Sequence, residues 1–160
     1  MIVRGSKASW HPDERGHELP LKHTGRSMIA RPQRYVRFVR ADVEPLTPDE
    51  CRARVELQLP EWSSFVGFSG AICSAPDTLR AAAEASLKAL SQAIGVDEGI
   101  AVTGVEYLEI FSKGMVLVQL TIPHDGELRS VIGVCLAGDN PTRAAALAVL
   151  NAANRSLGSG

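Results

Sequence analysis

The chain has 160 residues, of which 45% are hydrophobic and 22% are charged. This length suits one domain or two very small ones, and the composition is ordinary for a folded globular protein. It excludes collagen, a coiled coil and disorder along the whole chain. The longest apolar runs fall far short of the ~20 residues that a membrane-spanning helix needs.

The formal net charge of −1 conceals an uneven distribution. Residues 1–40 hold nine Lys/Arg and three Asp/Glu, a net charge of +6, whereas residues 41–160 hold eight and fifteen, a net charge of −7. Residues 1–33 show no sustained hydrophobic period and are predicted to form a basic, flexible arm. A folded, acidic domain is expected over residues 34–160.

The predicted elements of this domain follow one another in a simple order. Strands are expected at 34–46, 51–59 and 63–73, followed by a helix at 77–95, and then again at 101–111, 115–122 and 128–136, followed by a helix at 143–157. The second strand alternates apolar and polar residues, which is typical of a half-buried antiparallel strand. Asp77 is expected to cap the first helix and Gly95 to end it, whereas Asp139 or Asn140 caps the second, with Pro141 in its first turn.

The same unit therefore occurs twice. An offset of 63 residues aligns Val55 with Val118, Leu57 with Leu120 and Gly70 with Gly133, and it continues through the helices without a gap. The sequence predicts an α+β fold of tandem βββα units, in which antiparallel sheets carry two helices on one side. Repeat one spans 34–98 and repeat two spans 99–160. A single three-stranded unit would leave an apolar face uncovered, so the two copies are expected to share a core.

The stretches FVGFSGAICSAPDTLRAAAEASLKAL and SVIGVCLAGDNPTRAAALAVLNAANR carry a resemblance at the level of topology. Over about residues 36–158 the chain resembles the C-terminal regulatory domain of the 2-isopropylmalate synthase family, which is built from two βββα units, dimerises and binds its feedback amino acid. The linkers here contain less glycine than those of the family. The chain has no stretch for the family's acyl-condensing barrel, so synthase activity is not implied.

The resemblance implies a homodimer and a ligand niche where the strands meet the helices. Its residues would be Gly70, Ala71, Asp77, Gly138, Asp139 and Asn140. A helix N-terminus favours a carboxylate or phosphate, and small residues let a ligand approach the backbone. The alternative interpretation is that the two glycines fit tight turns and the acidic residues cap the helices.

Sequence motifs for catalysis or cofactor binding are absent. The chain has no G-x-S-x-G, Walker, HExxH or G-x-G-x-x-G motif, so we expect no catalytic residue and no cofactor. The three cysteines, Cys51, Cys73 and Cys135, form no CxxC pair, which makes a disulfide framework or a zinc site unexpected. His124 and Asp125 are expected to be solvated turn residues. The N-terminus lacks a secretory signal, so a cytoplasmic protein without membrane attachment is predicted.

The sequence favours two functions over a third, an enzyme with sites shared across a dimer, to which no residue points. The first is a non-catalytic small-molecule-binding or regulatory module that forms a homodimer and could also bind a protein partner. The alternative is a nucleic-acid-associated protein that uses the basic residues Arg31, Arg34, Arg37 and Arg40. The acidic domain argues against a nucleic-acid groove on the folded part.

Overall fold

A computed structural model describes residues 36–95 and 99–157, with Leu157 described by its backbone only. The predicted arm, Arg31 and Arg34 lie outside these residues. The first repeat contains β1 (Arg37–Pro45), β2 (Glu50–Gln58), β3 (Ser64–Ile72) and α1 (Ala75–Ile94); the second contains β4 (Ala101–Ile110), β5 (Lys113–His124), β6 (Glu127–Leu136) and α2 (Pro141–Leu157). The predicted α+β fold of two βββα units is confirmed.

Each repeat forms its own antiparallel sheet. The strand order is β1-β2-β3 in the first sheet and β4-β5-β6 in the second, so β2 and β5 are the central strands. Val55 and Leu57 on β2, and Val116 and Val118 on β5, are fully buried. Successive residues of a strand point to opposite faces, so each sheet has one helix-facing side and one outer side.

The two helices join the repeats. Each helix packs on the second and third strands of its own repeat, on the other helix, and on the first strand of the other repeat. Alanines line both helices over most of their circumference, which allows these close approaches. The buried Ser86 on α1 donates a hydrogen bond to the Ala146 carbonyl of α2, at 3.1 Å.

A glycine on each third strand allows the helix to lie directly on the sheet. A Cβ atom at Gly67 would lie 1.9 Å from the Ala85 carbonyl oxygen, and one at Gly133 would lie 1.8 Å from the Ala148 carbonyl oxygen. These contacts make Gly67 the counterpart of Gly133, so the predicted pairing of Gly70 with Gly133 is wrong.

The cause of this misalignment is a pair of compensating length changes. The β5–β6 hairpin has three more residues than the β2–β3 hairpin, whereas α2 has 17 residues and α1 has 20. The third strands are therefore offset by 66 residues, while the central strands and the helices keep the offset of 63. A second shared detail supports the duplication: β1 and β4 both contain a register shift, at Phe38/Arg40 and at Val102/Gly104.

The helix caps differ in part from the prediction. Ser74, not Asp77, is the N-cap of α1; its side chain accepts a hydrogen bond from the Asp77 backbone N–H. Asn140 caps α2 by accepting from the Arg143 N–H at 2.9 Å. Gly95 ends α1 in the left-handed conformation, with φ of 69°, as predicted.

Candidate functional site

A groove runs beside α1, between the free edge of β3 and the start of β4. Its volume is about 620 Å³. It is lined by Val66, Phe68, Glu84, Leu87, Lys88, Ser91, Gln92, Ile100, Ala101 and Val102. We call this cavity the α1 groove.

The groove arises where two sheet edges flank one helix. β3 and β4 are both edge strands, because each pairs only with the central strand of its own sheet. Leu87 supplies an apolar floor from α1, and the polar residues Glu84, Lys88, Ser91 and Gln92 stand on the flank of the same helix. The groove is thus apolar in its walls, with a polar border.

Two charged side chains of opposite sign are held in place at this border. Glu84 accepts a hydrogen bond from the buried Ser69 hydroxyl at 2.8 Å, and its other oxygen lies 3.6 Å from the Arg80 Nε. The Lys88 ammonium donates to the Phe68 carbonyl at 2.9 Å, which satisfies a backbone acceptor on the open edge of β3. A ligand at the groove would therefore meet a carboxylate and an ammonium beside an apolar surface.

The second repeat makes the same helix-to-edge contact but carries different residues around it. Asn151 on α2 donates to the Val134 carbonyl at 2.9 Å, and this pair is equivalent to Lys88 and Phe68. At the position of Glu84, α2 has Leu147, which is half-buried against the core. At the position of Val102, β1 has Phe38.

Phe38 of β1 occupies space beside α2 that the smaller Val102 of β4 leaves open beside α1. The Arg143 guanidinium lies over the Phe38 ring, 5.7 Å from its centroid, which is within the range of a cation–π contact. The α1 groove therefore exists because the strand beside α1 has the smaller residue, Val102, and because Glu84 stands where α2 has Leu147.

The groove lining carries a carboxylate, an ammonium and a hydroxyl, from Glu84, Lys88 and Ser91. The lining contains neither cysteine nor histidine, so it offers no thiolate and no imidazole as nucleophile or general base. Among residues 36–95 and 99–157, no three His, Cys, Asp or Glu side chains are grouped so as to hold a metal ion. The polar side chains of the groove can form hydrogen bonds and ion pairs with a ligand that lies on the apolar surface.

Two cysteines elsewhere in the domain, Cys51 and Cys135, have thiols with a raised pKa. Burial raises the pKa of the Cys51 thiol, and the neighbouring Cys73 and Asp77 act in the same direction. Burial also raises the pKa of Cys135, while Arg143 opposes that change. Both thiols are therefore protonated at neutral pH, which makes them poor nucleophiles.

The predicted linker niche lies elsewhere, and none of its six residues lines the α1 groove. Gly70 is exposed on the outer side of β3, Ala71 is half-buried against the core, and Asp77 bonds to the Ser74 hydroxyl. In the second repeat, Gly138 has a left-handed φ of 53°, Asp139 is exposed and Asn140 caps α2. A ligand role for these six residues stays a prediction.

The basic residues of the alternative function divide into two groups. Arg31 and Arg34 lie outside the described residues. Arg37 borders a smaller cavity of about 280 Å³ next to Trp62. The Arg40 Nε lies 3.2 Å from a Glu56 oxygen and 3.6 Å from an Asp42 oxygen, so carboxylates already neutralise this cation.

Two pairs of titratable residues lie close together in the sequence, His124 with Asp125 and Glu106 with Glu109. His124 and Asp125 lie 3.4 Å apart, but both side chains are exposed at the tip of the β5–β6 hairpin. Exposed ion pairs of this kind contribute little to folding stability. Glu106 and Glu109 pair with Leu117 and Gly114 on β5 and so face opposite sides of the sheet.

Sequence analysis missed the α1 groove, although one signal for it was present. The helices align without a gap, and Glu84 and Lys88 of α1 correspond to Leu147 and Asn151 of α2. A carboxylate at a helix position where the other copy has a half-buried leucine indicates a local role outside the shared core.

Comparison with known proteins adds no family. Neither protein-family models nor curated proteins yield a match to this chain. Among the described residues, no helix is both long enough and apolar enough to cross a membrane.

Proposed function

We propose that residues 34–160 form a non-catalytic binding module that takes a small molecule in the α1 groove and acts as a homodimer. The observation that carries the proposal is the asymmetry of the duplication. Beside α2 the helix-to-edge frame is occupied by Phe38 and Leu147, whereas beside α1 the corresponding residues are Val102 and Glu84 and the groove is open.

The chemistry of the groove supports a particular class of ligand. Its apolar walls suit an aliphatic group, and Lys88 and Glu84 suit the two charges of a zwitterion. The resemblance to an amino-acid-sensing domain points to the same class, so branched-chain amino acids are the first probes. The module would act as a sensor of its ligand.

A thermal-shift screen of the full chain with leucine, isoleucine and valine tests this proposal. A ligand that binds only the native state at about ten times its dissociation constant stabilises it by about 1.4 kcal/mol. For a domain of this size, we expect the midpoint to rise by about 3–5 °C. Absence of a shift with all three amino acids contradicts the proposed ligand class.

Two variants locate the binding site. Val102→Phe places beside α1 the kind of residue that Phe38 provides beside α2, and it should abolish the shift by filling the groove. Asp139→Ala removes an exposed side chain of the predicted linker niche and should leave the shift intact. The reverse pattern would assign the ligand to the linkers, and a shift that survives both changes would exclude both sites.

A further inference from the structure

The outer face of the second sheet is apolar over one part, whereas another part carries the hydrogen-bonded polar side chains of Thr103, Gln119, Thr121 and Ser130. The apolar part includes Leu108 and Ile110 on β4, Leu117 on β5, and Ile132, Val134 and Leu136 on β6, all of which point away from the helices according to the strand register. Ile132 is 52% exposed and Leu136 is 59% exposed. Contiguous apolar faces of this kind mark association surfaces in folded proteins.

The outer face of the first sheet shows what a solvated face looks like in the same fold. Its β1 and β2 positions carry charges in ion pairs, such as Arg52 with Glu44 at 3.1 Å and Arg40 with Glu56 at 3.2 Å. β2 and β5 are equivalent central strands. Where β2 has Arg54 on its outer side, β5 has Leu117.

The hairpin next to the apolar face presents a further exposed ring. Phe111 is 95% exposed and has a left-handed φ of 52°, and the following Ser112 has a φ of 58°. Glycine or asparagine is favoured at such turn positions, so neither backbone preference nor burial within the chain accounts for a phenylalanine here. The ring extends the apolar surface beyond the end of the sheet.

The charges on this face are complementary to a second copy of the same face. Glu106 and Lys113 are the two charged side chains of β4–β6 that the register places on the outer side. Neither forms an ion pair within residues 36–95 and 99–157. In a two-fold symmetric contact residue i of one copy meets residue j of the other and the reverse, so Glu106 of each copy can pair with Lys113 of the other.

The size of the face suits such a contact. Three strands about 4.8 Å apart and about 10 residues long at ~3.3 Å per residue cover roughly 450 Å² in projection. The projecting side chains raise the accessible area towards the ~800 Å² that each partner buries in a stable interface. Two sheets can pack face to face at a distance of about 10 Å.

We infer that two copies of this chain associate through the outer faces of their second sheets. This inference rests on the homodimer of the proposed function and identifies its interface. The α1 groove is bordered by the edge of β3, by α1 and by the start of β4, and none of its lining residues is among the outer-face residues named above. Occupancy of the groove and association of the copies can therefore be measured separately.

The test is sedimentation velocity of the full chain from about 1 to 100 μM, with one matched pair of variants. Ile132→Lys places a charge in the apolar face. Ile72→Lys makes the same change at the 65%-exposed end of β3, on the outer side of the first sheet. The wild type should be a dimer, Ile132→Lys should weaken association by more than about tenfold, and Ile72→Lys should alter it by less than about twofold.

Charge exchange provides a test that does not depend on disturbing the apolar residues. Glu106→Lys should weaken the dimer by about threefold, and addition of Lys113→Glu should restore it. Circular dichroism of each variant checks that the fold is retained.

Each outcome decides one question. A wild type that stays monomeric overturns both the interface and the proposed homodimer, and it leaves the face to a different partner. A dimer that tolerates Ile132→Lys as well as it tolerates Ile72→Lys overturns the interface alone. Ligand binding fails or succeeds independently in the thermal-shift screen.

Discussion

The two repeats have the same internal frame and different surfaces. Gly67 and Gly133 seat their helices in the same way, and Lys88 and Asn151 reach the same carbonyl position on the neighbouring edge strand. The groove beside the helix is open at α1, whereas part of the outer sheet face is apolar in the second repeat. Packing requirements keep the frame alike, and each copy has a different surface available for binding.

The largest expected effect concerns the frame. Gly133→Ala should destabilise the protein by more than about 3 kcal/mol, because its Cβ would overlap the Ala148 carbonyl and the helix would have to move. Gly67→Ala should behave alike. Gly70→Ala is the control, since nothing lies within 4 Å of its Cβ position, and it should change the free energy of unfolding by less than about 1 kcal/mol. Urea unfolding measures all three; a large loss in Gly70→Ala would contradict the offset of 66 residues.

The next effect concerns the residue that differs between the two helix flanks. Phe38→Val should cost about 1–2 kcal/mol, because it removes a half-buried ring that packs on the core and under Arg143. Val102→Phe, the opposite exchange, enters an open groove and should change stability by less than about 1 kcal/mol. If both variants lost the same free energy of unfolding in urea, Phe38 and Val102 would not differ in the space around them.

A smaller effect is expected at the contact between the helices. Ser86→Ala removes the hydrogen bond to the Ala146 carbonyl and should cost about 1 kcal/mol. The aligned residue of α2 is the buried Val149, so this bond is made by one repeat only. Ser91→Ala on the same helix, at the half-exposed groove border, serves as the control and should cost less than about 0.5 kcal/mol in urea.

The smallest effect appears only in alkaline solution. Burial raises the pKa of Cys51 above its unfolded value of 9.0, so the unfolded chain loses this proton first. The stabilisation is complete below about pH 9 and is lost as the pH rises through the folded pKa. The difference in unfolding free energy between the wild type and Cys51→Ala should be constant from pH 6 to about 8 and should shrink above about pH 9. A constant difference up to about pH 10.5 would contradict a raised pKa.

Much of the fold could be predicted because its signals are local. The alternation on β2 and the apolar stripe on α1 each report the face that is buried, and all six strands and both helices occur where they were expected. The helix cap was less certain from sequence, since Ser74 and Asp77 are both good capping residues three positions apart. The third-strand alignment failed because Gly67 and Gly70 are also three apart, and compensating length changes in the hairpin and helix hide the difference.

The candidate site could not be predicted in the same way. The α1 groove brings together residues of β3, α1 and the start of β4, and these meet only through the packing of one repeat on the other. No single motif in the sequence encodes that meeting. The difference between Glu84 and Leu147 was visible, but its meaning depends on the space that Val102 leaves and Phe38 fills.

Each helix rests on the opening strand of the other repeat, and this exchange bears on how the protein arose. A lone βββα segment would have lacked that strand and could have completed itself only by pairing with an identical chain. Fusion of two such genes in tandem would have turned an encounter between molecules into an internal one. Once joined, the halves no longer had to remain identical, and each was free to accumulate substitutions that its twin did not share.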